Sequence, residues 1–473
     1  MINWFRDVLG RRVFCVRRYS RNFYKFLSSY YRLLNNIGAK YVYKCVRGTC
    51  YSYIEVGSDI TSALLEAPGL VIESARSIRE CTDGVLLPPP PADVGFLDMG
   101  LPKYEKEDYL VLGLVGSKKL PIGLDDVWRH IWILGSTGSG KTHTAARLAR
   151  CLASLGQGVL VLDWHGEYAS LLDRYNTRLR ILSYPSMPRL PLVNSDMPLE
   201  VSLDILERVL SLSPFQSSIL SLILALVSGV LSPSELRETE KALGSTVFNA
   251  ISRAFESKSL GKDSGLRDLY LLLLEAYEEA SSNWITRSEK EIWAALLRRI
   301  QIFITSGYED LFSVFGNFPQ LFSNPDGVTV VDLSSIHSLR ARRLYAYFLL
   351  YGVYFSRIKH YSGSGLVVIV EEAHNLLDLD IVPTILQEAR KYKLGLIIIT
   401  HAPSTLPIAA QANLNTLIIH RIVGEKDREF LSHIIGSREL GETVSSLKPG
   451  EAIVLTSQGA PVIASISLDA SCT

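Results

Sequence analysis

Apolar and polar positions fall into two patterns along this chain. Unbroken runs rich in Val, Ile and Leu recur in two blocks: HIWIL (130–134), VLVLD (159–163) and LRILSY (179–184), then VTVVDL (328–333), LVVIV (366–370), LGLIIIT (394–400), TLIIHRI (416–422) and EAIVLT (451–456). Continuous rather than alternating apolar runs suit strands covered on both faces, as in a parallel sheet. Helical periodicity fills the gaps at Ala145–Ala153, Leu339–Ile358 and Val382–Tyr392. Strand and helix in alternation predict an α/β core. Between the blocks, residues 200–325 carry helical patterns (LDILERVL, SILSLILALVSGVL, RDLYLLLLEAYEEA, KEIWAALLRRIQIFI) and no comparable strand runs, which predicts an all-α insertion.

These patterns divide the chain into a first core half at 118–199, the insertion at 200–325, and a second core half with the C-terminal tail at 326–473. Ahead of the core, YVYKCV, YSYIEV and YLVLGLV predict a small β-rich domain over 41–117, interrupted by the four-proline run Pro88–Pro91. Consecutive prolines stiffen the chain as polyproline II and mark a linker or loop.

Charge sharpens this division. The net charge of +1 hides a split: residues 1–50 hold eleven Lys/Arg against one acid, and residues 51–117 hold four against eleven. Residues 1–40 therefore read as a basic arm. Within it Phe23, Phe26, Leu27, Tyr30 and Leu34 fall on one face of a helix among Arg17, Arg18, Arg21, Lys25 and Arg32. Such a helix can pack on its own core, lie on an anionic membrane, dock on a partner or touch DNA. The longest apolar run, Ile219–Leu231, is 13 residues and is interrupted by Ser and Gly. A bilayer span needs about 20 residues, so this run predicts a buried helix. Arginines break up the apolar core that a signal peptide would need. Six cysteines show no Cys-x-x-Cys spacing, which argues against zinc and against a disulfide framework. A cytoplasmic protein is expected, with peripheral membrane contact through residues 1–40 as the open point.

Four segments carry candidate chemistry. GSTGSGKT, Gly135–Thr142, fits the P-loop pattern, with a strand before it and an alanine-rich helix after it. Gly135, Ser136, Thr137, Gly138, Ser139, Gly140, Lys141, Thr142 and His143 form the expected phosphate-binding set. Glycines let backbone N–H groups turn inward around phosphate oxygens, and the helix adds its positive end. Lys141 is placed to reach the β- and γ-phosphates of ATP, and Thr142 to ligate Mg²⁺. The second segment, LVVIVEEAHN (366–375), delivers two carboxylates at a strand end, where a parallel sheet places its ligand site. Glu371 is expected to hold Mg²⁺ through water and Glu372 to activate the attacking water.

The third segment, LDWHGEY (162–168), places Asp163 and Glu167 near the nucleotide, while His165 can serve there or merely pack in a loop. In the fourth, QEARKYKLGLIIITHAPS (387–404), a strand ends at Thr400 and His401, where P-loop motors place a polar sensor of the γ-phosphate. Arg390 and Lys391 lie on the preceding helix. A cation there could reach a neighbour's nucleotide or simply be solvated.

Together RHIWILGSTGSGKTHT, LDWHGEY, VIVEEAHN and EARKYKLGLIIITHAPS resemble the HerA branch of the HerA/FtsK superfamily of hexameric DNA-pumping ATPases, over about Leu112–Ile466. The resemblance implies a RecA-like P-loop NTPase core interrupted by a helical subdomain and a homo-hexameric ring with double-stranded DNA in its channel. It implies ATP hydrolysed with Mg²⁺ between subunits, and it makes Arg390 a finger acting on the neighbouring subunit. Two roles occur in the superfamily: DNA-end processing with a NurA-type partner nuclease, and conjugation-type DNA transfer at a membrane. A nucleotide-switched assembly protein that pumps no DNA is the reading from another class. The chain departs from the family pattern at His401 (commonly Gln), Trp164 (often Pro), Ala389 and Lys393 (usually Gly), and Glu371 (usually Asp). The family's N-terminal β-barrel is expected here only in abbreviated form, over 41–117.

Overall fold

The apolar runs fold as strands in a computed structural model of the chain. It describes the backbone of 11–19, 40–46, 49–57 and 70–75, and residues 109–472 apart from 176–177, 230–244, 259, 262–263, 283–284, 362, 380–381, 406–414, 436–442 and 457–460. Two compact units result: Met1–Leu155 with Leu396–Thr473, and Gly156–Gly395.

In the first unit, strands β1 (Arg11–Tyr19), β2 (Lys40–Val46), β3 (Thr49–Gly57) and β4 (Leu70–Ala75) form an antiparallel sheet in the order β2-β3-β1-β4. β1 falls inside the stretch read as a basic arm and pairs with β3 and β4, so residues 11–19 form a strand of this sheet. The amphipathic pattern Phe23–Leu34 lies outside the described residues.

The same unit contains β5 (Tyr109–Val115), β6 (Lys118–Gly123), β7 (Ile131–Leu134) and helix α1 (Lys141–Ser154). Of its later strands, β14 (Leu394–Thr400) and β15 (Thr416–Ile419) flank β7 in parallel, while β16 (Glu451–Leu455), β17 (Val462–Ser465), β5 and β6 continue antiparallel from β15. β7 and β14 are buried at every position, as unbroken apolar runs require.

The second unit is built on parallel strands in the order β13-β8-β12-β9, with β8 at Gly158–Asp163, β9 at Leu179–Ser183, β12 at Val328–Asp332 and β13 at Leu366–Val370. The longer described helices of the insertion are α2 (Leu199–Leu210), α3 (Pro214–Ser228), α4 (Ser245–Ser257), α5 (Leu266–Ser282) and α6 (Arg287–Thr305). α3 and α6 begin at reciprocal capping boxes, Ser213 with Gln216 and Thr286 with Glu289.

The insertion is not wholly helical. β11 (Phe312–Gly316) pairs in parallel with β10 (Leu190–Asn194), so two short segments on either side of the helices close them off. A five-residue run with no parallel partner nearby in sequence gives no periodic signal, and only the pairing reveals it. Phe312 meets Phe303, Tyr345 and Phe348 edge-on at 6.1, 6.1 and 6.4 Å. The last two lie on α7 (Leu339–Lys359), which is buried along most of its length. No helix among the described residues is long and apolar enough to cross a membrane.

Candidate nucleotide site

β7 delivers the chain directly into the glycine loop, and α1 begins at Lys141. Gly138 and Gly140 sit at φ 74° and 109°, in the left-handed region that glycine favours. A Cβ on Gly135 would lie 2.7 Å from Ser139 Oγ and 2.8 Å from His420 Cβ. The loop is held from behind: Ser136 N–H donates to the Arg421 carbonyl at 2.8 Å, and Gly450 N–H to the Ser139 carbonyl at 3.3 Å. Thr137, Gly138 and His143 are exposed, and Thr142 is half-buried. Lys141 Nζ donates to the Ser136 carbonyl at 3.0 Å, so the lysine folds back across its own loop. Thr400 sits beside Leu134 in the parallel pairing of β14 with β7, and the exposed His401 follows it.

Sequence reasoning missed His420. It is fully buried; its Nδ1–H donates to the Glu451 carbonyl at 3.0 Å and its Nε2 accepts the Thr144 hydroxyl at 2.9 Å. Burial, and then the Lys141 charge, pull its pKa from 6.5 to about 4. The unfolded chain therefore takes up a proton near pH 6.5 that the folded chain refuses until about pH 4. Stability present above pH 6.5 is lost as pH falls through that window, by about 3 kcal/mol from this group. Unfolding midpoints measured from pH 7 to pH 4 should show this slope, and His420→Gln should flatten it. An unchanged slope would remove His420 as its source.

A second missed feature lies on the other face of α1. Arg147 is fully buried and donates to five carbonyls: Nε to Leu112 at 2.6 Å, Nη1 to Ser467 and Ala470 at 2.8 and 2.7 Å, and Nη2 to Val111 and Ser471 at 2.6 and 2.7 Å. One turn on, Cys151 forms a disulfide with Cys472 across 321 residues of sequence. This corrects the expectation that the cysteines form no disulfide: spacing along the chain carries no information about a pair brought together by the fold. The available signal was Arg147 itself, which with Arg150 interrupts the otherwise apolar stretch AARLARCLA.

In the second unit, β8 and β13 are parallel neighbours, with Val370 opposite Leu162. Their ends therefore bring LDWHGEY and EEAHN together. Asp163 has no exposed surface: Oδ1 accepts the N–H groups of His165, Gly166 and Glu167 at 3.2, 2.7 and 3.3 Å, and Oδ2 that of Tyr168 at 3.0 Å. Its carboxylate is taken up in shaping the loop, whereas Glu167 is exposed. Trp164 packs under the Arg342 guanidinium at 5.5 Å, and its N–H donates to Glu371 Oε2 at 3.1 Å. Glu371 is 3% exposed, and burial, followed by the Asp163 charge, pushes its pKa up to about 8. A cation brought beside it would favour the ionised form and reverse that shift.

Glu372 occupies the left-handed region at φ 48°. A non-glycine residue pays strain there, and such residues cluster at functional sites. Its Oε1 lies 3.2 Å from His165 Nε2 and its Oε2 3.4 Å from His374 Nδ1. An imidazole thus lies beside each oxygen, and the His165 contact is a hydrogen bond. Of the two readings left open for His165, the structure thus gives it a carboxylate partner.

Arg390 is exposed in the tight turn Ala389–Tyr392, with no partner among the described residues, while Lys391 pairs with Glu388 at 3.5 Å. Lys393, where the resemblance expects glycine, adopts φ 46°, so the backbone keeps the glycine-type turn without the glycine.

Over 358 residues the chain is 27% identical to the DNA double-strand break repair helicase HerA of Sulfolobus acidocaldarius, an alignment covering 72% of this chain and 65% of that protein. Its fold is similar to VirB4 of Thermoanaerobacter pseudethanolicus, with a TM-score of 0.54 at 17% identity over 77% of this chain and 97% of the other. It is also similar to the plasmid coupling protein TrwB in complex with ADP and Mg²⁺, with a TM-score of 0.51 at 14% identity over 77% and 90%. The core is thus the RecA-like fold of P-loop ATPases, with a helical insertion. A model of the central domain of helicase HerA matches residues 110–353, more than half of the chain. The chain belongs to that family.

Proposed function

We propose that this protein is an ATP-driven motor of the HerA type, a ring of six copies that moves double-stranded DNA in the processing of DNA ends, with a NurA-type nuclease as partner. The observation that carries this reading is Glu372: a carboxylate in a strained left-handed backbone, flanked by two histidines, directly after a buried glutamate. Strain of that kind is kept where one orientation matters more than stability. The chain aligns with 65% of the length of its Sulfolobus relative, whose name describes a double-strand break repair helicase.

Lys141 and the loop amides from Ser136 to Thr142 would grip the triphosphate. A hydroxyl and a carboxylate suit a hard divalent cation, and Thr142 and Glu371 would each offer one to Mg²⁺. The ion would polarise the γ-phosphoryl group. Glu372 would orient the attacking water and accept its proton, and His401 would report on the terminal phosphate. The exposed Arg390 would be offered to the nucleotide of the next subunit, a contribution of about 10³–10⁵ in rate for such fingers.

The testing experiment is the ATPase rate of purified protein with and without duplex DNA, its assembly state checked by mass. Hydrolysis by a six-copy species, accelerated by duplex, is expected. A well-formed hexamer indifferent to DNA would move the reading to a nucleotide-switched assembly protein. In mixed rings, Arg390→Ala and Glu372→Gln subunits, each inactive alone, should restore part of the rate. No recovery would sink the action of Arg390 across subunits.

A further inference from the structure

The second unit holds a cavity of about 460 Å³ that shares no wall with Asp163, Glu371 or Glu372. It is lined by residues following β10, by the segment after β11, and by the last turn of α7. Arg357 is the group that sets its character. The residue is 2% exposed. Its Nε donates to the Tyr392 carbonyl at 3.2 Å, its Nη1 makes only a long contact to the Ser323 carbonyl at 3.5 Å, and the Tyr361 ring lies 5.1 Å from the guanidinium. Nη2 is buried with no hydrogen-bond partner among the described residues. Burial lowers the pKa of the side chain, as expected for a cation without a counter-ion.

The carboxylate on the cavity wall does not supply that counter-ion. Asp196 Oδ1 is engaged by Lys359 Nζ and His360 Nε2, both at 3.2 Å. Arg357 thus lines the cavity as a buried cation without a counter-ion, and Ser356 and Asn324 line it as well. A cation would be repelled and an apolar molecule would strand the donors. An anion with acceptors in several directions satisfies them, and guanidinium recognises phosphate through paired N–H groups. The volume admits a phosphate carrying a small organic group.

We propose that this cavity binds a small phosphate-bearing anion on the Arg357 guanidinium. Either free phosphate or a phosphate monoester meets that chemistry. The assignment stands apart from the proposed hydrolysis, because it uses no residue of the glycine loop or of the strand-end carboxylates.

The test is calorimetric titration of the full-length chain carrying Lys141→Ala, which disables the glycine loop, with inorganic phosphate and with AMP in separate arms. Saturable binding is expected in at least one arm, and the tighter arm identifies the source. Asn324→Asp adds a carboxylate at an exposed wall position with little risk to folding, and should weaken binding about tenfold. Arg357→Gln should abolish it with the circular dichroism spectrum unchanged. No saturable binding in either arm, or binding indifferent to Asn324→Asp, overturns the proposal. Should Arg357→Gln fail to fold, the Asn324→Asp comparison decides alone.

Discussion

Glu372→Gln is expected to cut ATP hydrolysis by about 10²–10⁴-fold, the usual contribution of a positioned acid–base group, while leaving nucleotide binding intact. Glutamine keeps the size and shape of the side chain but cannot accept a proton. The contacts around the residue sharpen the expectation. His165 and His374 approach separate oxygens of this carboxylate, and the left-handed backbone aims it. Substituting either histidine should cost less than the glutamate itself, because each orients the group without carrying the proton. Binding of a fluorescent ATP analogue, measured beside steady-state turnover, separates the two effects. A variant that turns over at the native rate would show that another group activates the water.

The second large effect is structural. Arg147→Met should destabilise the first unit by about 3 kcal/mol or more, since hydrogen bonds to a charged group contribute about 1.5–3 kcal/mol each. Five carbonyls, from Val111, Leu112, Ser467, Ala470 and Ser471, would lose a donor whose own side chain is fully buried. Arg147→Lys should rescue only part of the loss, since an ammonium offers three donors on one atom where guanidinium spreads five over a plane. Thermal unfolding of the three proteins under matched conditions checks this. A midpoint for Arg147→Met within experimental error of the native one would mean that the tail is held without the arginine. Because α1 starts where the glycine loop ends, the loss should reach nucleotide binding as well.

Much of the candidate site is legible in the order of residues alone. The P-loop needs its glycines, lysine and threonine at fixed spacing because the backbone itself wraps the phosphates, so a local pattern suffices. The acidic strand is legible for a related reason: an unbroken apolar run ending in Glu371 and Glu372 suits a buried strand delivering charge at its tip. Asp163 shows what such reading leaves open. Its position at a strand end suggests a role at the nucleotide, yet four backbone amides take up its carboxylate, and nothing in LDWHGEY distinguishes the two uses.

What the sequence determined by itself was the alternation of buried strands and helices, the glycine loop and the paired carboxylates, because each is written in residues a few positions apart. What only the tertiary structure decided were the long-range associations. They are β1 joining β3 and β4, β10 pairing with β11 across the helical insertion, Cys151 meeting Cys472, and Arg147 and His420 gathering partners from distant segments. Residues far apart along the chain become neighbours through packing of the whole unit. A buried cation or a neutral imidazole then persists because its hydrogen bonds are completed by backbone that no local pattern points to.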